Sequence, residues 1–231
     1  IHDRFDCSND DFTKDDFMRE VRMKLWHCNN ARSLRPLWAL EEMGLDYELI
    51  VMPFPPRMFQ REYLKVNVLG TIPYFEDGEH YLTESSGICH YLAEKYGPEF
   101  GLRPDHPEYG PYINWLFHSD ATLTFPQTLV LRYTRLEPEE RRQPTVAADY
   151  RKWYLARLRM LDAVIEDREF LCDNRFTMAD IAIAYALFLG ESLDIHVDYK
   201  PQTRDYLERM KAREGFRKGQ EAQAKAEAEQ L

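Results

Sequence analysis

The stretch Asn67 to Leu92, NVLGTIPYFEDGEHYLTESSGICHYL, constrains the fold more than any other part of the chain. Ile72-Pro73 precedes the strand-forming run Tyr74 to Glu76, and a proline, which cannot donate to a sheet ladder, belongs at a strand's first residue or on an edge. An X-Pro bond so placed can be cis. Asp77-Gly78 then separates two runs of strand formers, a strong short-range hairpin signal, and Glu79 to Leu82 returns antiparallel. Thr83-Glu84-Ser85-Ser86 stands ahead of Ile88, Tyr91 and Leu92, which are apolar at helical spacing, so a helix begins directly after the second strand. Such a helix start suits a zwitterion: its free N–H groups and positive dipole end accept a carboxylate, while Glu84 accepts an ammonium. An amino-acid head group has that form. Simple capping by Thr83 or Ser85, with Glu84 complementing the dipole, accounts for the same spacing.

The preceding residues supply the rest of a sheet. Met23 to Cys28 reads as a strand, Asn29-Asn30-Ala31 as a loop, and Arg32 to Met43 as a helix whose Leu34, Leu37, Trp38 and Leu40 face inward, ended by Gly44. Pro36 is tolerated because it falls in the first turn. Tyr47 to Met52 is a second strand, and a helical crossover makes it parallel to the first. Pro53, Pro55 and Pro56 enforce a loop, and Arg57 to Lys65 is a short helix or irregular turn. The order is β-α-β-α-β-β-α, ending near Tyr96.

Beyond a linker at 98–108 the pattern is helical: Tyr109 to Tyr133, with a bend near Pro126, then Thr145 to Asp167, then a buried helix from Ile181, then Arg204 to Met210. Arg135 to Arg142 reads as a solvated loop. Thr177 and Asp180 form a capping box, with Phe176 and Ile181 as the hydrophobic staple. The tail from Gln220, rich in Ala, Glu, Lys and Gln, reads as a surface helix without a site. Residues 1–22 are polar and read as a disordered extension. The expected domains are 23–97 and 109–231.

The succession I-P, strand, D-G, strand, T-E-S and helix resembles the second half of the glutathione-binding domain of cytosolic glutathione transferases, and the T-x-x-D box is a second mark of that family. The resemblance, of bacterial type and covering roughly Met23 to Phe216, implies a thioredoxin-like domain followed by a helical bundle. It implies that Ile72 and Pro73 hold the cysteinyl part of glutathione and that Glu84 and Ser85 hold its γ-glutamyl end. Many relatives carry Lys or Gln where this chain has Thr71, so Arg57, Gln60 or Arg61 would meet the glycine carboxylate. A histidine in a beta-class segment corresponding to His118 lies close to glutathione; a hydrogen-bonded histidine at a helix interface is the alternative. The second substrate would rest on Trp115, His118, Thr122 and Phe125, whose character implies a hydrophobic electrophile, although a plain helix core uses the same residues.

A transferase must favour the thiolate of glutathione near neutral pH, and a hydroxyl donor or a helix N-terminus does this by stabilising negative sulfur. Relatives with a loop N-N-S-R-S use the first serine. Here the loop is N-N-A-R-S, with Ala31 in that place. Asn30 is the first candidate, donating its amide as asparagine does in some bacterial and fungal branches, and Ser33 is the second. Arg32 falls where beta-class members carry cysteine, and Cys28 is either a mixed-disulfide thiol or a small packed residue. The implied reaction is conjugation of glutathione, as co-substrate, to an electrophile in detoxification. Glutathione-dependent reduction of disulfides or peroxides, and binding of glutathione or an apolar ligand without turnover, remain open beside it.

Composition narrows the remaining classes. A net charge of -10 without long Lys or Arg runs argues against nucleic acid or anionic membrane as partner. No apolar run approaches the roughly 20 residues that span a bilayer, and no basic and apolar leader opens the chain. Cys7, Cys28, Cys89 and Cys172 form no CxxC pair, so neither a metal site nor a disulfide framework is expected, and a reducing cytoplasm is the natural compartment. Family resemblance adds a two-fold homodimer.

Overall fold

The computed structural model describes residues 23–230, so the expected extension at 1–22 lies outside the described residues. Strand β1 (Met23–His27) pairs in parallel with β2 (Tyr47–Val51), from Met23 opposite Tyr47 to His27 opposite Val51, and helix α1 (Leu34–Met43) makes the crossover. Leu34, Leu37, Trp38 and Leu40 of α1 are all fully buried. Gly44 ends the helix at φ +63°, where a side chain would be strained, and its N–H closes on the carbonyls of Leu40 and Glu41. After α2 (Pro56–Phe59) and a 3-10 turn at Arg61–Lys65, β3 (Tyr74–Asp77) runs antiparallel to β1, and β4 (His80–Leu82) returns on β3 through the Asp77-Gly78 turn. The strand order is β2-β1-β3-β4. Helix α3 (Ser85–Tyr96) places Ile88, Cys89 and Leu92 against Leu25, Phe75 and the inward face of α1.

The second half is helical. Tyr109 to Leu131 is continuous but not regular: α4 (Tyr109–Phe117) passes into a π-helical segment at His118–Thr124, which leads into α5 (Phe125–Leu131). Pro126, where a bend was expected, directly follows the π-helical segment, where the helical hydrogen-bond ladder has already shifted. Then follow α6 (Pro144–Ile165), α7 (Met178–Ser192), α8 (Pro201–Lys211) and α9 (Glu214–Gln230). Helix α7 is apolar nearly all round and runs through the core. Its capping box is formed: Thr177 Oγ1 accepts from the Ala179 N–H, and Asp180 Oδ2 accepts from the Thr177 N–H at 2.9 Å. Asp180 Oδ1 also accepts from the Leu171 N–H and the Tyr206 hydroxyl, so the cap joins α7 to α8 and to the loop before it. The chain is a thioredoxin-like sheet domain followed by a helical bundle.

The surface helix expected from Gln220 is the second half of α9, which lies along α1 and the outer edge at β2 and buries Gln223. The approach is close at Gly215, where an added Cβ would fall 2.7 Å from the Glu42 Cα, so only hydrogen fits. Gly219, one turn on, faces the Trp38 backbone.

Candidate functional site

The register of β1 and β3 sets Trp26 opposite Tyr74, which brings the loop after β1 beside the residues before β3. Ala31 and Ile72 pack on one small cluster of Trp26, Cys28, Met52 and Tyr63. The Ile72–Pro73 peptide is cis. The Thr71 carbonyl is held by the Tyr63 hydroxyl at 2.8 Å and by Asn67 Nδ2 at 2.9 Å. The Ile72 N–H and C=O have no partner among the described residues, which leaves one backbone unit open to an extended peptide.

Next to them is the start of α3. Glu84 occupies the N-cap position with extended backbone, it is exposed, and no side chain caps the helix. The first N–H groups of α3 are therefore open to an anion. Ser85 is buried and its Oγ accepts from Arg35 Nη1 at 2.9 Å. Arg35, fully buried, also donates Nη1 to Asp120 Oδ1 at 2.6 Å, Nη2 to Thr124 Oγ1 at 2.8 Å and Nε to the Ala182 carbonyl at 3.1 Å. Its guanidinium lies over the Tyr185 ring. Burial alone would raise the Asp120 carboxyl, but Arg35 beside it and the Ser86 hydroxyl, 2.6 Å away, outweigh that and hold it below the usual carboxylate range. Arg35 was not foreseen; the signal available was a charged residue inside the apolar stripe of α1.

In the loop between β1 and α1, Cys28 is buried, its Sγ donates to the Pro53 carbonyl, and burial pushes the thiol up to about 12, so it stays protonated at neutral pH. Ser33 is also buried, and its Oγ bonds the Cys28 N–H at 3.2 Å and the Cys28 C=O at 3.4 Å. Arg32 reaches across to α5, donating Nη2 to Thr128 Oγ1 at 3.0 Å. Asn30 is exposed and left-handed, at φ +56°. Its Oδ1 accepts from Gln223 Nε2 at 2.9 Å and Gln220 Nε2 at 3.4 Å, and its backbone N–H donates to Gln223 Oε1 at 3.1 Å.

Arg57 is exposed on α2, and its Cβ abuts Gly70, near the Thr71–Pro73 segment; Gln60 and Arg61 follow, both exposed. The residues expected to hold a second substrate divide between two faces. Trp115 is buried beside His118, with ring centroids 5.4 Å apart, and it lines a groove with Met160 and Val164 of α6. His118 keeps an unpartnered Nε2, and burial with the nearby Arg157 charge lowers its pKa. Asp120 and Thr124, bonded to Arg35 of α1, and Thr128, bonded to Arg32 of the loop before it, mark the face toward the sheet domain. Thr122 is half-buried and Phe125 is exposed. Ala31, next to Asn30, thus shares a cluster with Ile72, the β3–β4 register brings the chain after Leu82 back beside the residues before Phe75, Arg57 and Gln60 are exposed, and Trp115 and His118 turn toward α6. Among the described residues, no three His, Cys, Asp or Glu side chains are grouped to hold a metal ion, and no helix is long and apolar enough to cross a membrane.

A thioredoxin-like domain with an open cis-proline segment, an uncapped acidic helix start and a helical bundle alongside defines the architecture of glutathione-dependent transferases. Residues 21–94 match the glutathione S-transferase N-terminal domain family and residues 125–214 match its C-terminal domain family. The chain belongs to the glutathione S-transferase family. It is 29% identical over 171 residues to glutathione S-transferase 1 of Schizosaccharomyces pombe, covering 70% of this chain and 73% of that one. It is 26% identical over 202 residues to glutathione S-transferase GstA of Escherichia coli, covering 83% and 94%. Among solved structures, Ure2p5 of Phanerochaete chrysosporium, cocrystallised with 1-(S-glutathionyl)-2,4-dinitrobenzene, superposes with TM-score 0.77 at 21% identity, over 91% of this chain and 98% of that one.

Proposed function

We propose that this protein is a glutathione transferase in which the thiolate of glutathione attacks a hydrophobic electrophile. One observation carries the reading: the unpaired backbone of Ile72 before Pro73, the uncapped α3 start at Glu84 and Ser85, and the loop at Asn30 occur side by side. A γ-glutamyl carboxylate would take the α3 N–H groups and the Ser85 hydroxyl, and its ammonium would meet Glu84. The cysteinyl backbone would pair with Ile72, and Arg57 or Gln60 would receive the glycine carboxylate. Ure2p5, a structural relative with a glutathionyl-dinitrobenzene conjugate bound, supports this class of product.

Among the thiol-activating candidates, Asn30 is favoured, because the hydroxyl of Ser33 is committed to the Cys28 backbone while the Asn30 Nδ2 hydrogens have no partner among the described residues. A donor amide within reach of sulfur stabilises S⁻ over S–H. Catalysis then rests on positioning and thiolate stabilisation, with no protein nucleophile, since the Cys28 thiol stays protonated. Phe125 and Phe117, at the two ends of the π-helical segment, supply exposed apolar surface for the electrophile. A homodimer is also proposed: Phe54, Met58, Phe59 and Val68, on the segment between β2 and β3, are exposed apolar side chains suited to a second copy. Among the described residues Cys28, Cys89 and Cys172 are buried and free, which suits a reducing cytoplasm.

The test is an ultraviolet titration of protein-bound glutathione in wild type and Asn30→Ala. A bound-thiol pKa well below that of free glutathione, rising in the variant, supports the reading. An unshifted pKa in wild type, with no turnover of chloroaromatic, epoxide, peroxide or disulfide substrates, would leave a protein that only binds glutathione.

A further inference from the structure

The strongest unassigned feature is the side chain of Gln223 on α9. It is almost wholly buried, at 4% exposure, and every hydrogen-bonding position of its amide is used. Its Nε2 donates to Asn30 Oδ1 at 2.9 Å and to Gln220 Oε1 at 2.8 Å. Its Oε1 accepts from the Asn30 backbone N–H at 3.1 Å and from His27 Nε2 at 2.9 Å. Two donors on one oxygen and two acceptors on one nitrogen leave a single orientation for this amide. The Asn30 backbone N–H can only donate, so it fixes the oxygen end of this amide and with it the hydrogen on the His27 Nε2 that faces it; burial keeps that ring neutral, its pKa lowered to about 4.

The consequence passes to Asn30. With Gln220 and Gln223 both donating to its Oδ1, the carbonyl end of the Asn30 amide is fixed on α9, and the free end is the NH2 group. Without Gln223 the amide could turn over and present an oxygen, which repels a thiolate. The left-handed backbone of Asn30 is held by the same side chain through its N–H. Glu227, one turn further along α9, accepts from Asn29 Nδ2 at 2.5 Å, so one stripe of the helix engages both asparagines.

Building on the thiol-activating role proposed for Asn30, we infer that Gln223 is a positioning residue for the reaction. It presents the donor end of the Asn30 amide to the glutathione sulfur and holds the loop that carries it. The function of α9 is therefore to set the polarity of the activating group from the far end of the chain.

The experiment compares the bound-thiol pKa, kcat and KM for glutathione in wild type, Asn30→Ala, Gln223→Met and the double variant. Gln223→Met is expected to raise the bound-thiol pKa by about one unit and to lower kcat roughly tenfold, the effect of one hydrogen bond to a charged group. KM for glutathione should change little, because the γ-glutamyl end is held elsewhere. In the Asn30→Ala background, Gln223→Met should add nothing. Should Asn30→Ala leave the thiol pKa unshifted, the asparagine assignment fails and this inference with it. A shift in Asn30→Ala but none in Gln223→Met, or additive effects in the double variant, would overturn the role of Gln223 alone. A circular dichroism spectrum and urea midpoint of Gln223→Met guard against a folding defect, and a folded variant with the wild-type thiol pKa overturns the inference.

Discussion

Arg35 Nη1 and Asp120 Oδ1 stand 2.6 Å apart, with the arginine side chain sealed from water, so an ion pair joins the first helix of the sheet domain to the π-helical segment of the bundle. The same guanidinium nitrogen donates to Ser85. A Ser85 oxygen that accepts from Arg35 must turn its own hydrogen elsewhere, and the open start of α3 is where a carboxylate would receive it. The pair is therefore tied both to domain packing and to the polarity of the proposed glutathione site.

Removing one partner of this pair should cost far more than removing both. Asp120→Leu leaves a buried guanidinium without its anion and is expected to cost roughly 3–5 kcal/mol of stability, whereas Arg35→Met with Asp120→Leu should lose much less than the sum of the single changes. Urea denaturation of the three variants measures this, and additive losses would count against a coupled pair.

Glu84→Gln keeps the shape of the α3 start but removes the charge that would meet an ammonium. KM for glutathione should rise roughly tenfold, equivalent to about 1.4 kcal/mol, with little change in kcat. Steady-state kinetics with glutathione varied decide it; a KM equal to that of wild type would remove Glu84 from the site.

The acid response should contain two opposed contributions. Burial lowers His27 from 6.5 to about 4 and raises Asp180 from 3.8 to about 6. For His27 the unfolded chain binds the extra proton, so its contribution is complete above pH 6.5 and is lost as the pH falls toward 4. For Asp180 the folded chain binds the extra proton, so its contribution is complete below 3.8 and is lost as the pH rises through 6. Each is worth about 3 kcal/mol, and between pH 4 and 6 they largely cancel. Asp180→Asn should expose the His27 contribution, so that stability falls more steeply on acidification than in wild type. Denaturation midpoints across that range would show it, and parallel pH profiles would refute it.

Gly190→Ala, normally favourable within a helix, should destabilise this protein. An added Cβ would lie 1.9 Å from the Tyr199 hydroxyl, which donates to the Leu187 carbonyl and is paired with Tyr154. Overpacking of about 1–3 kcal/mol outweighs the roughly 1 kcal/mol gained in helix propensity. A fall in Tm is expected, and a rise would mean that Tyr199 yields without cost.

The features legible in the sequence are those decided by near neighbours. Pro73 at a strand entrance, the Asp77-Gly78 turn, Glu84 and Ser85 ahead of an apolar period, and the box of Thr177 and Asp180 all formed where they were expected. The π-helical segment at His118–Thr124 left no mark, because the shift in hydrogen bonding needs no particular residue. It also settles which side chains of that helix meet α1 and which meet α6, so Trp115 and His118 could not be assigned to a face in advance. Arg35 and Gln223 were missed for another reason. Their partners lie 85 and 193 residues away, and only tertiary packing brings them together. An Ala-, Glu- and Gln-rich tail from Gln220 reads as a solvated helix, and Gly215, which lets the helix start lie against Glu42, falls before it.

The pairing of Asn30 with Gln223 also sets an order of events during synthesis. Strands β1 to β4 and the start of α3 emerge from the ribosome with all the backbone that the Ile72 and Glu84 part of the site requires. The Asn30 amide cannot be locked until the chain has grown 193 residues further. A nascent chain would thus complete the backbone proposed to hold glutathione well before the group proposed to act on its sulfur is fixed in place.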